Sequence, residues 1–216
     1  MLIGIIGCGG FGREVMPILR EMLERTQVYA TPVFVETAPA SSGAVNGSPV
    51  LSEEEFFRAG DKDKRFNIAI ADSRVREDIA RRFIEAGARP IAVHSLQTTV
   101  YDANKIGEGS IICAGGVVTS NATIGRFFHC NIQSYVAHDC DIGEFVTFAP
   151  RVACNGNVVI EDHAYIGTGA VIKQGTKKRP LRIGRGAIVG MGAVVTKDVP
   201  AEETWVGNPA RRLERR

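Results

Sequence analysis

Every sixth residue from Val100 to Ile172 is aliphatic, phenylalanine or cysteine, without a break. After five additional residues the series resumes at Ile183 and continues through Val189 and Val195. A period of six differs from the 3.6-residue period of a helix, but it is a multiple of the two-residue period of a strand. The pattern therefore predicts a parallel solenoid in which short strands stack and the sixth-residue side chains fill the centre.

Three hexads make one triangular coil if each hexad supplies one face and the corner after it. The twelve hexads between Ile106 and Lys177 then form four coils, followed by a bulge at residues 178–182 and one further coil to Pro200. Successive coils should rise by about 4.8 Å, the spacing of hydrogen-bonded strands. Glycine directly after the inward residue is expected to ease the backbone of the turn. It occurs at Gly107, Gly125, Gly143, Gly167, Gly184 and Gly190.

The first ninety or so residues lack the six-residue period. Leu2–Ile6 is predicted to form a buried strand, which is followed by a glycine-rich loop and by a segment whose apolar residues recur at helical spacing. The further predicted elements are strands at Val33–Val35, Ile68–Ala71 and Ile91–Val93, and a helix over Arg74–Ala86 that turns Val75, Ile79, Phe83 and Ile84 inward. Residues 37–47 are predicted to form a loop. The alternation of strands and helices predicts a small parallel α/β unit of the Rossmann type. We therefore expect a Rossmann-like domain at 1–93, the solenoid at 94–200 and a C-terminal cap at 201–216.

Charge and hydropathy narrow the classes of partner. The chain has 26 Lys and Arg against 24 Asp and Glu, a formal net charge of +2. This near balance gives no general attraction to nucleic acid or to an anionic membrane surface. No apolar run approaches the ~18 residues that span a bilayer. We expect neither nucleic acid nor a membrane as a partner, and we interpret Leu2–Ile6 as a first strand rather than as a signal peptide.

The five cysteines are odd in number and include no C-x-x-C pair. Cys130 and Cys154 fall at inward positions of the hexads, where a thiol serves as a small apolar filler. This usage predicts a reducing compartment, the cytoplasm.

Two local motifs resemble a known superfamily. Ile166-Gly167-Thr168-Gly169-Ala170 and Ile183-Gly184-Arg185-Gly186-Ala187 resemble the hexapeptide signature of acyltransferases. The closing run from Trp205 to Arg211 is similar to the motif that ends the β-helix of those enzymes. The resemblance implies left-handed coils, although parallel crossovers are generally right-handed. The expected fold is thus an α/β Rossmann-like subdomain followed by a left-handed parallel β-helix.

The opening Gly7-Cys8-Gly9-Gly10-Phe11-Gly12-Arg13-Glu14, joined to such a solenoid, resembles the family named for sialic acid O-acetyltransferases. That family includes N-acetyltransferases of nucleotide-linked bacillosamine and perosamine, and the resemblance covers essentially the whole chain. It implies transfer of the acetyl group of acetyl-CoA to the amine of a UDP-, GDP- or dTDP-linked amino sugar, for surface polysaccharide or glycan biosynthesis. O-acetylation of sialic acid or another sugar hydroxyl, and a non-enzymatic nucleotide-sugar scaffold, remain as alternatives. A homotrimer with active sites between subunits is also implied.

Acetyl transfer to an amine needs a base for the proton of the nucleophile, and an imidazole oriented by a carboxylate suits that role. Two His–acid pairs are present, His138-Asp139 and Asp162-His163, and their spacing does not choose between them. The resemblance selects His138 as general base and Asp139 as the group that raises its basicity. It also implies direct attack on the thioester, with a backbone N–H near Gly156 holding the oxyanion.

Further contacts to acetyl-CoA are implied by the same resemblance. They are Asn131, Thr147, Gly156, Thr168 and Met191, although some members carry histidine where Thr147 stands. Acetyl-CoA is expected as a co-substrate, without a permanently bound cofactor. The basic run from Lys177 to Arg182 either reaches coenzyme phosphates or forms a solvated loop.

Gly7-x-Gly9-x-x-Gly12 follows a predicted strand and precedes a predicted helix, the arrangement of a dinucleotide fingerprint, and Glu36 ends the next strand. Ninety residues hold only half of a dinucleotide fold, so we expect a mononucleotide-sized ligand with its diphosphate at the helix N-terminus. The candidate contacts are Gly9, Gly10, Phe11, Glu36, Thr37, Ala71 and Asp72. Departures from the family at Phe11 and at Glu36-Thr37 leave the base open. The alternative is a loop that only packs helix against strand.

A metal enzyme on the same solenoid would need several histidines around one ion. The four histidines, His94, His129, His138 and His163, occupy four different hexad phases. None of them stack in register along one face, so we expect no metal site within one chain; a cluster assembled across subunits stays open as the alternative.

Overall fold

The computed structural model of the chain describes residues 1–37 and 43–214. These residues form two compact units, the first from Met1 to Leu96 and the second from Gln97 onward. No helix among the described residues is both long enough and apolar enough to cross a membrane.

The first unit is a six-stranded sheet with helices. Its elements are β1 (Leu2–Ile6), α1 (Gly10–Thr26), β2 (Thr31–Glu36), β3 (Gly43–Val45), β4 (Ser48–Ser52), α2 (Glu53–Arg58), β5 (Lys64–Ile68), α3 (Ser73–Glu85), β6 (Arg89–Pro90) and β7 (Val93–His94). The strand order in the sheet is β3-β4-β2-β1-β5-β6, and only β3 runs antiparallel to its neighbour. All five residues of β1 are buried, as expected for the central strand of a parallel sheet. The predicted α/β class is confirmed.

Two predicted strands of this unit were misplaced. The third strand is β5 at Lys64–Ile68 rather than Ile68–Ala71, because its polar first half, which begins with Lys64 and Arg65, hides it in a search for apolar runs. The predicted strand at Ile91–Val93 is also wrong. The sheet ends instead with β6 at Arg89–Pro90, an edge position where proline is tolerated.

The hairpin of β3 and β4 and the short helix α2 were missed. Residues 38–42 of the predicted loop lie outside the described residues, and residues 43–45 form a strand instead of a loop. Asn46 and Gly47, both at positive φ, form the hairpin turn. A capping box begins α2, with the Ser52 hydroxyl accepting from the Glu55 N–H and the Glu55 carboxylate accepting from the Ser52 N–H. Both signals were readable in the sequence.

Helix α3 buries a different face from the one predicted. Ile79 and Phe83 are buried as expected, but Val75 is 46% exposed and Ile84 is 38% exposed. The buried stripe instead combines Ile79 and Phe83 with Ala80 and Arg76, all at helical spacing. The prediction considered only apolar residues as inward, whereas the buried face includes Arg76.

The second unit contains eighteen short strands, and between Thr99 and Val195 they follow the predicted hexad spacing except for one insertion. In chain order they are β8 (Thr99–Val100), β9 (Lys105–Ile106), β10 (Ile111–Ile112), β11 (Val117–Val118), β12 (Thr123–Ile124), β13 (His129–Cys130), β14 (Tyr135–Val136), β15 (Asp141–Ile142), β16 (Thr147–Phe148), β17 (Ala153–Cys154), β18 (Val158–Ile160), β19 (Tyr165–Ile166), β20 (Val171–Ile172), β21 (Leu181–Ile183), β22 (Ile188–Val189), β23 (Val194–Val195), β24 (Thr204–Val206) and β25 (Arg211–Arg212).

These strands form three parallel faces of a prism. Face 1 consists of β8, β11, β14, β17, β20 and β23; face 2 of β9, β12, β15, β18 and β21; and face 3 of β10, β13, β16, β19, β22 and β24. Ile112 pairs with Cys130, an offset of 18 residues or three hexads, and the same offset recurs on each face. We call the turns that follow face-1 strands edge 1–2, and the turns that follow face-3 strands edge 3–1. The predicted parallel solenoid is confirmed.

The inward residues form the core of this unit. From Ile112 to Val195 the predicted inward positions are at most 2% exposed, and these include Cys130 and Cys154. Val100 is 44% exposed and therefore does not fill the centre as predicted, because it stands in the first coil of the stack.

The glycines after the inward residues serve a purpose other than the predicted one. The left-handed backbone conformation falls two residues later, at every sixth residue from Ala103 to Gly169. The glycines themselves have ordinary φ values. A Cβ at Gly125 would lie 2.6 Å from the carbonyl carbon of Gly143, in the next coil. These glycines are needed because the coils approach each other closely there.

The insertion in the solenoid lies earlier than predicted. Ile160 pairs with Ile183, an offset of 23 residues, so the five extra residues precede β21, whose first residue is Leu181. The insertion makes a tight turn in which the backbone groups of Thr176 and Arg179 exchange two hydrogen bonds of 3.0 Å. Residues 181 and 182 therefore belong to a strand rather than to the bulge. After Pro200, β24 extends face 3, and β25 pairs with it antiparallel.

Candidate active site

His138 and Asp139 form a hydrogen-bonded pair on edge 1–2, directly after β14. The distance from His138 Nδ1 to Asp139 Oδ2 is 2.7 Å. Asp139 occupies the left-handed corner position, with φ of 57°. Their side chains are 48% and 51% exposed, so a substrate can reach them. An Nδ1–H that donates to the carboxylate leaves Nε2 as the acceptor, the tautomer that a general base requires.

Gly156 lies beside the imidazole, one coil further along edge 1–2. A Cβ at this position would come within 2.5 Å of His138 Nε2 and 2.6 Å of Cε1. Gly156 is buried, and no acceptor for its N–H is found among residues 1–37 and 43–214. A base and a backbone donor thus lie next to each other, as a reaction through an oxyanion needs.

The second His–acid pair is used differently. The ring of His163 stacks on Phe145, with centroids 5.5 Å apart and planes inclined by 4°, and His163 is only 7% exposed. The Asp162 carboxylate accepts from the Glu144 N–H at 2.8 Å and binds Arg185. The geometry therefore favours His138 over His163 as the accessible base.

The other residues predicted to contact acetyl-CoA lie elsewhere on the prism. Asn131, Thr168 and Met191 stand on edge 3–1, and Met191 is 81% exposed. Thr147 lies on the outward side of face 3 and is only 7% exposed. Because edges 3–1 and 1–2 border face 1 on opposite sides, one chain does not bring these residues together with His138.

Face 1, between those two edges, has no charged side chain among its outward residues. Its outward residues are Thr99, Val117, Tyr135, Ala153, Val171 and Val194, whereas those of face 2 are Lys105, Thr123, Asp141, Val159 and Arg182. The first set carries no charge, which is typical of a surface that a second protein chain covers.

A basic cavity continues edge 1–2 beyond Gly156. It has a volume of about 540 Å³ and lies in the turns after β20 and β23. Lys173, Arg179 and Lys197 line it, together with Asp198. Its excess of positive charge suits an anionic group.

The glycine loop of the first unit has two kinds of glycine. A Cβ at Gly12 would lie 1.9 Å from the carbonyl oxygen of Gly7, so Gly12 is required for packing of the loop. Gly9 and Gly10 are exposed, and a Cβ at either would meet nothing within 4 Å. Gly9 is the N-cap of α1 and has no side chain to bond the first turn. The N-terminus of this 17-residue helix is therefore open to a ligand.

The predicted acid at the end of β2 holds this loop. Glu36 Oε1 accepts a hydrogen bond from the Cys8 N–H at 2.6 Å. Hydrogen bonding to the Glu36 carboxylate also raises the pKa of the Cys8 thiol. Phe11 is half-buried in the first turn of α1, and Thr37 is exposed just after β2.

Ala71 and Asp72 belong to the turn between β5 and α3. Asp72 caps α3, because its Oδ1 accepts from the N–H groups of Arg74 at 2.9 Å and Val75 at 3.0 Å. The buried guanidinium of Arg76 donates to the carbonyls of Ile70 at 2.7 Å and Ala71 at 3.2 Å. Burial lowers the pKa of Arg76 to about 9. The turn is therefore held both by the Asp72 cap and by the Arg76 guanidinium.

No group of three or more His, Cys, Asp or Glu side chains able to hold a metal ion is found within residues 1–37 and 43–214.

Both units match family models. Residues 2–83 match the PglD N-terminal domain, and residues 157–197 match the hexapeptide repeat of succinyl-transferase. A left-handed parallel β-helix of this repeat, with a His–Asp pair on its edge, defines the class of hexapeptide-repeat acyltransferases.

Relatives across the whole chain narrow this class. The chain is 51% identical to GDP-perosamine N-acetyltransferase from Escherichia coli O157:H7 over 216 residues, which are 99% of this chain and 97% of that protein. The structure of WeeI from Acinetobacter baumannii AYE is 52% identical and superposes with a TM-score of 0.94, covering 99% of this chain and all of that one.

A variant of perosamine N-acetyltransferase from Caulobacter crescentus, with a histidine replaced by asparagine, was solved with CoA and GDP-perosamine. It is 26% identical, with a TM-score of 0.88 and coverage of 100% of this chain and 98% of that one. The chain belongs to the hexapeptide-repeat family of acetyltransferases for nucleotide-linked amino sugars, which includes GDP-perosamine N-acetyltransferase. The family resemblance found in the sequence is thereby confirmed.

The contact between Gly156 and His138 makes a testable prediction. In Gly156→Ala the new methyl group must push the imidazole aside, which is structurally cheap because the ring is the end of a mobile side chain. We expect turnover to fall about 100-fold, since misplacing a catalytic group by 1 Å can cost that much. The unfolding free energy should change by less than about 1 kcal/mol. Steady-state kinetics and chemical denaturation measure the two effects, and unchanged turnover would contradict the assignment.

Proposed function

We propose that this protein transfers the acetyl group of acetyl-CoA to the amine of a GDP-linked amino sugar of the perosamine type. The observation that carries the proposal is the 51% identity to GDP-perosamine N-acetyltransferase, which extends over both units. The exposed His138–Asp139 pair supplies the chemistry that such a transfer needs. The guanine nucleotide and the particular sugar are the finer part of the proposal.

His138 acts as the general base in this reaction. The sugar amine attacks the thioester carbonyl carbon while Nε2 takes a proton from the amine nitrogen. The carbonyl oxygen becomes an oxyanion, to which the Gly156 N–H donates a hydrogen bond. Collapse of the intermediate breaks the C–S bond, and the leaving coenzyme thiolate takes the proton from the His138 imidazolium, which restores the base. Asp139 holds the imidazole through Nδ1 and stabilises its protonated form.

Two copies of the chain form each acetyl-transfer site, in a homotrimer. The proposal is supported by the position of His138 and Gly156 on edge 1–2 and of Asn131, Thr168 and Met191 on edge 3–1. It is also supported by the uncharged face 1 between them. When face 1 of one copy is covered by a neighbour, edge 1–2 of one chain can lie beside edge 3–1 of the next. The thioester is then held between chains, as a co-substrate rather than a permanent cofactor.

The basic cavity on edge 1–2 supports the same position for the coenzyme. Lys173, Arg179 and Lys197 lie in turns of the edge that carries His138 and Gly156, in the coils after Gly156. Since coils stack at about 4.8 Å, an extended coenzyme can reach from the imidazole to this cavity. We assign its phosphates to these three cations.

The glycine loop holds the diphosphate of the nucleotide sugar. Its support is the open N-terminus of α1 at Gly9 and Gly10, with Phe11 in the first helical turn. The surrounding contacts to the nucleotide sugar are assigned to Glu36, Thr37, Ala71 and Asp72. One carboxylate oxygen of Glu36 already accepts a hydrogen bond from the loop. All five cysteines are free thiols, which supports a reaction in the cytoplasm.

Loss of the base should abolish turnover without loss of binding. We expect His138→Asn to lower kcat at least about 100-fold, because general bases contribute 10²–10⁴-fold. The assay measures the free thiol released from acetyl-CoA in the presence of GDP-perosamine, with UDP- and dTDP-linked amino sugars in parallel. Calorimetric affinity for CoA should stay within about twofold, as the imidazole acts in the transition state.

The matched control is His163→Phe, which keeps an aromatic ring stacked on Phe145. Its kcat should equal that of the wild type. Normal turnover in His138→Asn, or its loss in His163→Phe alone, would reverse the assignment of the base. A preference of the wild type for UDP- or dTDP-linked sugars would replace the proposed nucleotide.

Nucleotide-sugar binding can be tested at Gly9. Because a Cβ there meets no protein atom, Gly9→Ala should fold normally. The methyl group would stand where a diphosphate approaches the backbone, so we expect KM for the nucleotide sugar to rise about tenfold while KM for acetyl-CoA is unchanged. An unaltered KM for the nucleotide sugar would leave the loop with a packing role alone.

Shared sites can be tested by mixing two inactive variants. His138→Asn damages edge 1–2, and Asn131→Trp blocks edge 3–1. In randomly mixed trimers, about a quarter of the sites should combine an intact edge 1–2 from one chain with an intact edge 3–1 from the next. Only these sites are functional, so the mixture should regain about a quarter of wild-type activity. Mixed oligomers can be purified through a different tag on each variant, and if they stay inactive the site is not shared. A protein that is monomeric by mass would show the same.

A further inference from the structure

The hydrogen-bond ladder of the solenoid is loosened at Asn155, the residue before Gly156. The N–H of Asn155 lies 3.4 Å from the carbonyl oxygen of Ile172. The equivalent bonds of the other coils, from the residue after the inward position, measure 2.7 to 3.0 Å. The backbone of the described coils is therefore displaced at this one corner position.

The side chain of Asn155 bridges the gap. Its Nδ2 donates to the Ile172 carbonyl at 2.7 Å, and its Oδ1 accepts from the Tyr135 hydroxyl at 2.9 Å. A carbonyl oxygen only accepts, so Nδ2 must face Ile172, and the phenol must then be the donor. Burial raises the pKa of Tyr135, which keeps the phenol protonated. Both ends of the amide are thus fixed.

The main chain of Asn155 has an anchor of its own. The thiol of Cys140, which is 2% exposed, donates to the Asn155 carbonyl oxygen across 3.2 Å. In a planar trans peptide the C=O and the following N–H point in opposite directions. A carbonyl held toward the buried thiol therefore turns the Gly156 N–H away from it. No acceptor for that N–H is found in the described chain.

We propose that Asn155, held by Tyr135, and Cys140 are positioning residues that orient the Gly156 N–H as the oxyanion donor. The inference rests on the acetyl transfer proposed above. Asn155 sets the displacement of the backbone, Tyr135 fixes the rotamer of Asn155, and Cys140 fixes the rotation of the peptide plane. None of the three touches the acetyl group.

Such a role affects the transition state more than the bound substrate. The oxyanion exists only after attack, and removal of one donor costs about 10²–10³-fold in kcat. Loss of a positioning contact tilts the donor without removing it, so a smaller effect is expected. The base is untouched, and the pH at which kcat is half-maximal should not move.

The first experiment replaces Asn155 by alanine. We expect Asn155→Ala to lower kcat about 10- to 100-fold, with KM for both substrates and the midpoint of the pH profile unchanged. The control is Asn104→Ala. Asn104 bridges neighbouring coils on the same edge through the Thr119 carbonyl at 2.6 Å and the Ala122 N–H at 2.9 Å, far from Gly156 in the chain. Its loss should lower the thermal midpoint but leave kcat unchanged.

The second experiment removes a single hydroxyl and is informative even if Asn155→Ala does not fold. Tyr135→Phe should lower kcat about three- to tenfold, because Asn155 loses one of its two partners. Tyr165→Phe is the control, since Tyr165 holds the same hexad position on face 3 and is 38% exposed. It should behave as the wild type.

Three outcomes would overturn the inference: kcat within twofold of wild type in Asn155→Ala, an equal loss in Asn104→Ala, or an effect on KM alone. Failure of the underlying function is a separate result, because it shows as absence of thiol release by the wild type. A reduced kcat in the two test variants, beside an active wild type and active controls, would support the positioning role.

Discussion

The parallel ladder between successive coils is the constraint on which the second unit depends. Because Ile112 pairs with Cys130 and Val118 with Val136, each residue lies beside the one three hexads later. The sequence is thereby folded into columns, and each column has its own chemistry: apolar side chains at the centre, left-handed corners, and glycines where the coils approach. His138 and Gly156 are neighbours for this reason alone.

The same ladder separates the groups to which the proposed reaction is assigned. Each strand is only two or three residues long, and the chain turns a corner after each hexad. Side chains near the two borders of face 1 therefore cannot meet within one copy. Neither edge alone carries all the residues assigned to the acetyl-transfer site, since His138 lies on edge 1–2 and Asn131 on edge 3–1. An uncharged face 1 lies between them, and burial of such a surface against a second chain is favourable. The proposed assembly and the proposed catalysis therefore depend on the same geometry.

In the first unit, other contacts shape the loop to which the nucleotide sugar is assigned. Its central strand β1 is buried throughout, and the turn that follows is compressed until only glycine fits at position 12. Glu36 holds the loop from β2, and Arg76 holds the turn after β5 through two carbonyls. These polar contacts lie at the carboxyl ends of the strands, where ligands of parallel α/β sheets usually bind. Gly9 and Gly10 are left open at the start of α1.

The sequence alone determined the solenoid, because a six-residue apolar period is a local property that is repeated many times. The exposure of one member, Val100, therefore does not hide the pattern. The sequence also determined the glycine loop and the two His–acid pairs as candidates. Spacing did not choose between the pairs, and the family resemblance selected His138. The tertiary structure added a physical reason for that choice, since the ring of His163 stacks on Phe145 whereas His138 is exposed. It also revealed the displaced corner at Asn155, the close approach at Gly125 and the buried Arg76. These depend on contacts between residues distant in sequence, which no pattern within one hexad or one helix encodes.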